Sequence, residues 1–286
     1  MSAVPRGRFR LLALDVDGTL LDRQGALRPS TVEAVARAAR AGIRPVLCTG
    51  RRYRRARPVA ESLGLDAPIV CNSGAVVKDP AGHGTLWRAD FDGPLLTEIL
   101  ALFRDRDEPA VSFTDLTPDD HDFLVERAVT GRALFDDYLD QNRGHAGIEA
   151  GWTVRAPGPG HFHLCAIGDC PEMLEFERAV LGRLGGRVRT FVQRSPRYLG
   201  TMCEVIRHDA NKWAAVLHVA ALWGVHPSEI CAVGDDMNDL PMIVGAGLGV
   251  AMGHAPEAVR AAADLVTGDH DEDGVAMLVH DVLLSK

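Results

Sequence analysis

Two aspartates, Asp15 and Asp17, end the apolar run Leu11-Leu12-Ala13-Leu14 and are followed at once by Gly18-Thr19. In an extended chain residues i and i+2 share a face about 7 Å apart, and the residues before Asp15 suit a strand covered on both sides. Both carboxylates therefore reach one small volume at a strand tip. Neighbouring negative charges raise each other's pKa unless a cation lies between them. A hard oxygen site that keeps water in its shell suits Mg²⁺. Gly18 permits the sharp turn that must follow.

Three further polar clusters also follow apolar runs. Thr49-Gly50-Arg51 follows 43–48, Asn72-Ser73-Gly74 closes 68–72, and Gly234-Asp235-Asp236-Met237-Asn238-Asp239 follows 230–233. The elements that must position them alternate. The spacing predicts a strand at 9–15, a helix at 29–41 capped by Ser30 or Thr31 and ended by Gly42, a strand at 43–48, a helix at 52–63 and a strand at 68–72. From Asn211 the same texture returns, with a helix to about Trp223, strands at 230–233 and 248–252, and a helix at 256–263. Between about 78 and 204 Gly, Pro and acidic residues become frequent, with helical spacing near 93–105, 130–140 and 171–184 and a strand at 161–167. This predicts an α/β protein with a doubly wound parallel sheet, formed by 1–77 and 205–286 and interrupted by an inserted α+β module at 78–204. In such sheets ligands bind beyond the carboxyl ends of the strands, where all four clusters fall.

The bulk numbers bound the partners. At 286 residues two domains are expected, and a composition of 47% hydrophobic and 24% charged residues is ordinary for a globular chain. No apolar run approaches the ~20 residues of a membrane span, and 1–10 leads into a strand, not a signal-peptide core. A cytoplasmic location is expected, with no membrane partner. A net charge of −8 argues against nucleic acid, leaving a small molecule as the expected partner and a monomer or homodimer as the state. Six scattered cysteines without a CxxC pair read as reduced core residues. Lysine occurs only at 78, 212 and 286, which singles out Lys212 in a chain that otherwise uses arginine. Arg51 stands beside Arg52, Arg54, Arg55 and Arg57, which reads as a solvated helix face. His161 and His163 alternate on their strand and read as an exposed sheet face.

Asp15-Val16-Asp17-Gly18-Thr19, Thr49, Lys212 and Gly234-Asp235-Asp236-Met237-Asn238-Asp239 together resemble, in order and spacing, the four motifs of the haloacid dehalogenase superfamily of phosphohydrolases. Cys48-Thr49-Gly50-Arg51, Asn72-Ser73-Gly74-Ala75 and Asp273-Gly274-Val275-Ala276 resemble its Cof-type branch (subfamily IIB), which carries a large α/β cap between the second and third motifs. The resemblance implies a Mg²⁺-dependent phosphatase acting on a small phosphorylated metabolite through an aspartyl-phosphate. Asp15 would be the nucleophile. The Asp17 carbonyl would bind Mg²⁺ while its side chain serves as acid and base, and Asp235 would complete the protein's metal ligands. Thr49, the Gly50 amide, Lys212 and Asn238 would hold the phosphoryl group, with Asp239 behind them orienting Lys212 or a water, and Asp236 solvated. His254 and His270 stand where the branch has asparagine. The alternatives are a phosphomutase or phosphotransferase on sugar phosphates, and a non-catalytic binding protein of the same fold. Substrate choice would lie in the inserted module, where Arg132, Arg143, Trp152, Arg197 and Tyr198 receive no role.

Overall fold

The computed structural model describes residues 8–115, 121–155, 160–194 and 199–285. In chain order the first part holds β1 (Leu11–Leu14), α1 (Pro29–Arg40), β2 (Arg44–Leu47), α2 (Tyr53–Ser62), β3 (Ile69–Cys71), β4 (Val76–Lys78) and β5 (Thr85–Arg88). Then come α3 (Gly93–Asp105), β6 (Val111–Thr114), β7 (Phe123–Val125), α4 (Ala133–Gln141), β8 (Ala146–Ile148), β9 (His161–Gly168), α5 (Cys170–Leu184), β10 (Val188–Arg194) and β11 (Thr201–Arg207). The last part is α6 (Lys212–Leu222), β12 (Ile230–Gly234), α7 (Leu240–Gly245), β13 (Leu248–Ala251), α8 (Glu257–Ala262), β14 (Leu265–Val266) and α9 (Gly274–Leu278).

The chain divides into two units, Met1–Trp87 with Asn211–Lys286, and Arg88–Ala210. The division expected at 78 and 204 therefore moves. Strands β3, β4 and β5 form one small sheet that continues past 78, while β11 pairs along its whole length with β9 and β10, so a cut at 204 would split a strand.

The first unit carries a parallel sheet in the order β14-β13-β12-β1-β2. Strands β1 and β12 are buried at every residue, as the uninterrupted apolar runs require of a sheet covered on both faces. The run at 68–72 extends the sheet only through one parallel bridge, Cys48 to Val70, before β3 turns into its antiparallel hairpin with β4. Helix α1 starts at Pro29 as expected, but its cap is not Ser30 or Thr31. Arg28 is its cap residue and Pro29 its first turn, because proline's fixed φ suits that position; Ser30 Oγ instead donates to Asp273. Gly42 does follow the end of α1, at φ +88°.

The second unit is a mixed sheet, β10-β11-β9-β6-β7-β8. One face packs on α3 and α5 through Leu96, Phe103, Phe176 and Val180, with Phe103 and Phe176 edge to face at 4.8 Å. Asp92 caps α3, and Asp169 with Glu172 forms a capping box on α5. Trp152 is buried in this core, and Arg197 and Tyr198 lie outside the described residues. His161 and His163 are not an exposed face: they are 7% and 1% exposed, because β9 lies inside the sheet between β11 and β6. His161 Nδ1 meets Ser112 Oγ at 2.6 Å and its ring stacks on Trp152. His163 packs on Phe113 and lies 3.3 Å from Cys165 Sγ.

Burial pushes the His163 imidazole down to about 3. The unfolded chain, with an ordinary value of about 6.5, takes up a proton that the folded chain refuses. Stability contributed by neutral His163 is thus complete above about pH 6.5 and is lost on acidification, at about 1.4 kcal/mol per pH unit, until the folded value is reached. His163→Met is expected to flatten this part of the acid limb when urea midpoints are followed between about pH 7 and pH 4. An unchanged slope would contradict it.

Candidate active site

The site is built where the sheet reverses direction. The chain leaves β1 for β2 on one side and returns through β12 on the other, and Leu14 is level with both Leu47 and Val233. Asp15 emerges one step later, its N–H donating to the Val233 carbonyl. This is the topological switch point at which α/β sheets open a crevice.

Lys212 lies at the centre of the site. Its Nζ donates to Asp15 Oδ1 at 2.6 Å and to Asp239 Oδ1 at 2.5 Å, and the three residues are 1%, 4% and 0% exposed. Asn211 accepts from the Ala214 N–H and caps α6, making Lys212 the first residue of that helix. The turn at Asn72–Gly74 packs against this helix start. Gly74 has φ +92°, and a Cβ there would collide with the Asn211 carbonyl. Asn72 and Ser73 also have positive φ, 51° and 56°, strain that costs of order 1–3 kcal/mol each and places the turn against the lysine's helix.

The remaining acids are fixed by short local contacts. Asp239 Oδ2 accepts from the Asp235 and Asp236 N–H groups, both at 3.0 Å, so this one carboxylate closes the turn and grips the lysine. Asp236 is exposed and accepts from the Met237 N–H; Asn238 is buried in the same turn. Thr19 Oγ1 donates to Asp235 Oδ1 at 3.0 Å. Gly18, at φ +84°, lies so close to Asp235 that a Cβ would overlap its carboxylate. Asp15, Asp235 and Asp239 thus present oxygens within 4.8 Å of one another.

Thr49 is buried, and its Oγ1 accepts from the Arg51 N–H at 3.0 Å, leaving the hydroxyl hydrogen to donate; Gly50 beside it is partly exposed. Arg51 is not part of a solvated helix face. Helix α2 begins only at Tyr53, so Arg51 belongs to the loop. Its Nε and Nη2 donate to Asp17 Oδ2 and Oδ1 at 2.6 and 2.5 Å. The clue was available in the spacing: Arg51 follows Thr49-Gly50 too closely to have entered the helix.

The electrostatics follow from burial. Desolvation raises the Asp15 carboxyl well above the usual range, Lys212 pulls it down, and Asp239 and Asp235 push it up again. Desolvation also raises Asp239, against Lys212. Burial works against the charge of Lys212, but Asp15 and Asp239 outweigh it and hold the ammonium above the ordinary lysine value. Three carboxylates converge where one ammonium bonds two of them, and this surplus of hard oxygen donors fits a divalent cation of the Mg²⁺ type. A second group, His254, Asp269 and His270, stands beside the acids. His254 Nε2 is 3.6 Å from Asp235 Oδ2, and that carboxylate raises the imidazole's pKa against the opposing effect of burial.

The comparisons agree with this geometry. Residues 12–279 match the family described as haloacid dehalogenase-like hydrolase. The chain is 28% identical to pyridoxal phosphate phosphatase YbhA of Escherichia coli K12, over 96% of this chain and 99% of that protein. It is 27% identical to the HMP-PP phosphatase of Yersinia pestis strain Pestoides F, over 97% and 96%. A crystal structure of a haloacid dehalogenase-like hydrolase from Bacteroides thetaiotaomicron superposes with a TM-score of 0.75 at 25% identity, covering 95% of this chain and 98% of that one. With its parallel sheet, inserted mixed sheet and acids at the switch point, the chain belongs to the haloacid dehalogenase-like hydrolases, in their Cof-type branch, subclass IIB.

Proposed function

We propose that the protein is a Mg²⁺-dependent phosphatase that hydrolyses a small phosphorylated metabolite, a sugar phosphate or a phosphorylated cofactor, through an aspartyl-phosphate on Asp15. The observation that carries this reading is the state of Asp15. Lys212 holds Oδ1, while among the described residues Oδ2 accepts no hydrogen bond. One carboxylate oxygen is oriented by a buried ammonium, and the other is left to attack phosphorus.

Each residue has a part in the two displacements. Asp15 Oδ2 forms the bond to phosphorus as the bond to the leaving oxygen breaks, and the Asp17 carboxyl gives that oxygen its proton. Water then attacks phosphorus, Asp17 takes the proton, and the Asp15 carboxylate is restored with release of inorganic phosphate. The Thr49 hydroxyl and the Gly50 N–H receive the phosphoryl oxygens, helped by Asn238, and Lys212 offsets their charge. Both Asp17 oxygens are occupied by Arg51, so proton transfer requires that fork to open.

Asp15, the Asp17 carbonyl and Asp235 would be the donors for Mg²⁺. Asp239 is not among them, since one of its oxygens is held by Lys212 and the other by two backbone N–H groups. Mg²⁺ supplies positive charge that offsets repulsion between a carboxylate and a phosphate dianion. The names of the relatives, pyridoxal phosphate phosphatase and HMP-PP phosphatase, support a small substrate. Six free cysteines, five of them buried, suit a reducing cytoplasm.

Purified protein is expected to release inorganic phosphate from a generic phosphomonoester with Mg²⁺, and to stop on chelation until Mg²⁺ is restored. Asp15→Asn is expected to abolish release with circular dichroism and melting intact; full turnover would refute the nucleophile. Asp17→Asn is expected to slow turnover by about 10²–10⁴-fold, measured at saturating Mg²⁺. Lys212→Met strands two buried carboxylates and is expected to cost about 3–5 kcal/mol of stability, read as a lowered urea midpoint. An unchanged midpoint would show that the bridge does not hold the site together.

A further inference from the structure

We propose that His254, Asp269 and His270 form a second metal site, for a borderline divalent cation of the Zn²⁺ and Co²⁺ class. The three residues come from two loops at the carboxyl end of the same parallel sheet. His254 follows β13 and the Asp269-His270 pair follows β14, and the loops are tied by the Gly253 N–H to the Gly268 carbonyl. The donor atoms form a nearly equilateral triangle. His254 Nδ1 and His270 Nδ1 are 3.2 Å apart, and Asp269 Oδ1 lies 3.4 Å from the first and 3.2 Å from the second. Two ligands about 2.0–2.1 Å from a tetrahedral ion lie about 3.3 Å from each other.

Each imidazole also has a carboxylate near its other nitrogen. A ligating imidazole usually presents its other nitrogen to a carboxylate, which fixes the ring and raises its basicity. Here His254 Nε2 faces Asp235 Oδ2, and His270 Nε2 faces Asp271 Oδ1, each at 3.6 Å. The side chains of His254, Asp269 and His270 are 25%, 25% and 12% exposed, so an ion can reach them. The rings stand at 87° to each other. His270 Nδ1 faces the His254 ring, 3.2 Å from one nitrogen and 3.0 Å from the other. Ligation through His254 would require that ring to turn so that its lone pair, in place of its face, points at the ion.

The donor set separates this site from the acids around Lys212. Imidazole selects zinc, cobalt and nickel, whereas carboxylates, carbonyls and water suit magnesium. Asn at 254 and 270, the residues the Cof-type pattern leads one to expect, would supply no such ligand, so the site is a property of this chain's own residues. It does not depend on which substrate the enzyme takes or on whether Asp15 is the nucleophile.

The test uses full-length protein stripped by chelation and returned to excess Mg²⁺, so that hard-oxygen positions are filled, then titrated with Co²⁺. A visible absorption band of four-coordinate intensity is expected to saturate at one equivalent, and to be displaced by Zn²⁺. In H254N/H270N, and separately in D269N, the band is expected to vanish and Co²⁺ affinity to fall at least about tenfold, with circular dichroism and melting confirming the fold. A spectrum of six-coordinate weakness in the wild type, or the same band and affinity in the folded variants, would overturn the site.

Discussion

An ammonium held between two buried carboxylates is the constraint on which this site rests. Removing charges from water costs several kcal/mol each unless they are paired and hydrogen-bonded, and Lys212 with Asp15 and Asp239 meets that condition from three distant parts of the chain. The lysine also opens α6, where the helix dipole disfavours positive charge. A lysine at that position is tolerable because the two acids outweigh both the dipole and the burial. Asp239 is the keystone of the arrangement, since its second oxygen binds the backbone of the turn that carries Asp235. Moving the lysine therefore disturbs Asp15 and Asp239 directly and Asp235 through the turn.

Much of this was legible in the sequence because the relevant signals are local. An apolar run that stops at Asp15 must be a covered strand ending in acid, and a chain with so few lysines draws the eye to Lys212. The parallel sheet and the inserted mixed sheet follow from where the texture changes and returns. The unit boundaries were less legible. They depend on hydrogen-bonded partners, β3 with β4 and β9 with β11, and pairing between strands leaves little mark on the composition of either strand.

Long-range partners also explain the residues that were misread. Alternation at His161 and His163 is what a half-exposed strand would show, but β9 lies inside its sheet, and its histidines are accommodated by Ser112 and Trp152 in one case and by Phe113 and Cys165 in the other. Arg51 looked like one of several solvated arginines because its partner, Asp17, is 34 positions away. Once the two are paired, the arginine has a consequence for chemistry. A carboxylate gripped at both oxygens is withheld from proton transfer, and the natural competitor for its guanidinium is another planar or tetrahedral anion. On the proposed reading, a phosphate dianion beside Thr49 and Gly50 would offer that competition next to the arginine that follows them. Substrate charge and release of Asp17 would then be linked through one side chain.

Asp235 stands between the two proposed cation sites in a similar way. Its Oδ1 is occupied by the Thr19 hydroxyl and its Oδ2 faces His254, and the lack of a side chain at Gly18 is what lets the carboxylate lie this close to the first loop. If both proposed sites were filled, an ion on His254 would polarise that imidazole and strengthen its pull on Asp235, drawing electron density from the carboxylate proposed as a Mg²⁺ donor. Two cations sharing one carboxylate through an imidazole oppose each other, and linkage makes the opposition mutual. A Zn²⁺-class ion bound at His254, Asp269 and His270 should therefore weaken Mg²⁺ at Asp235 by the same factor by which Mg²⁺ weakens it.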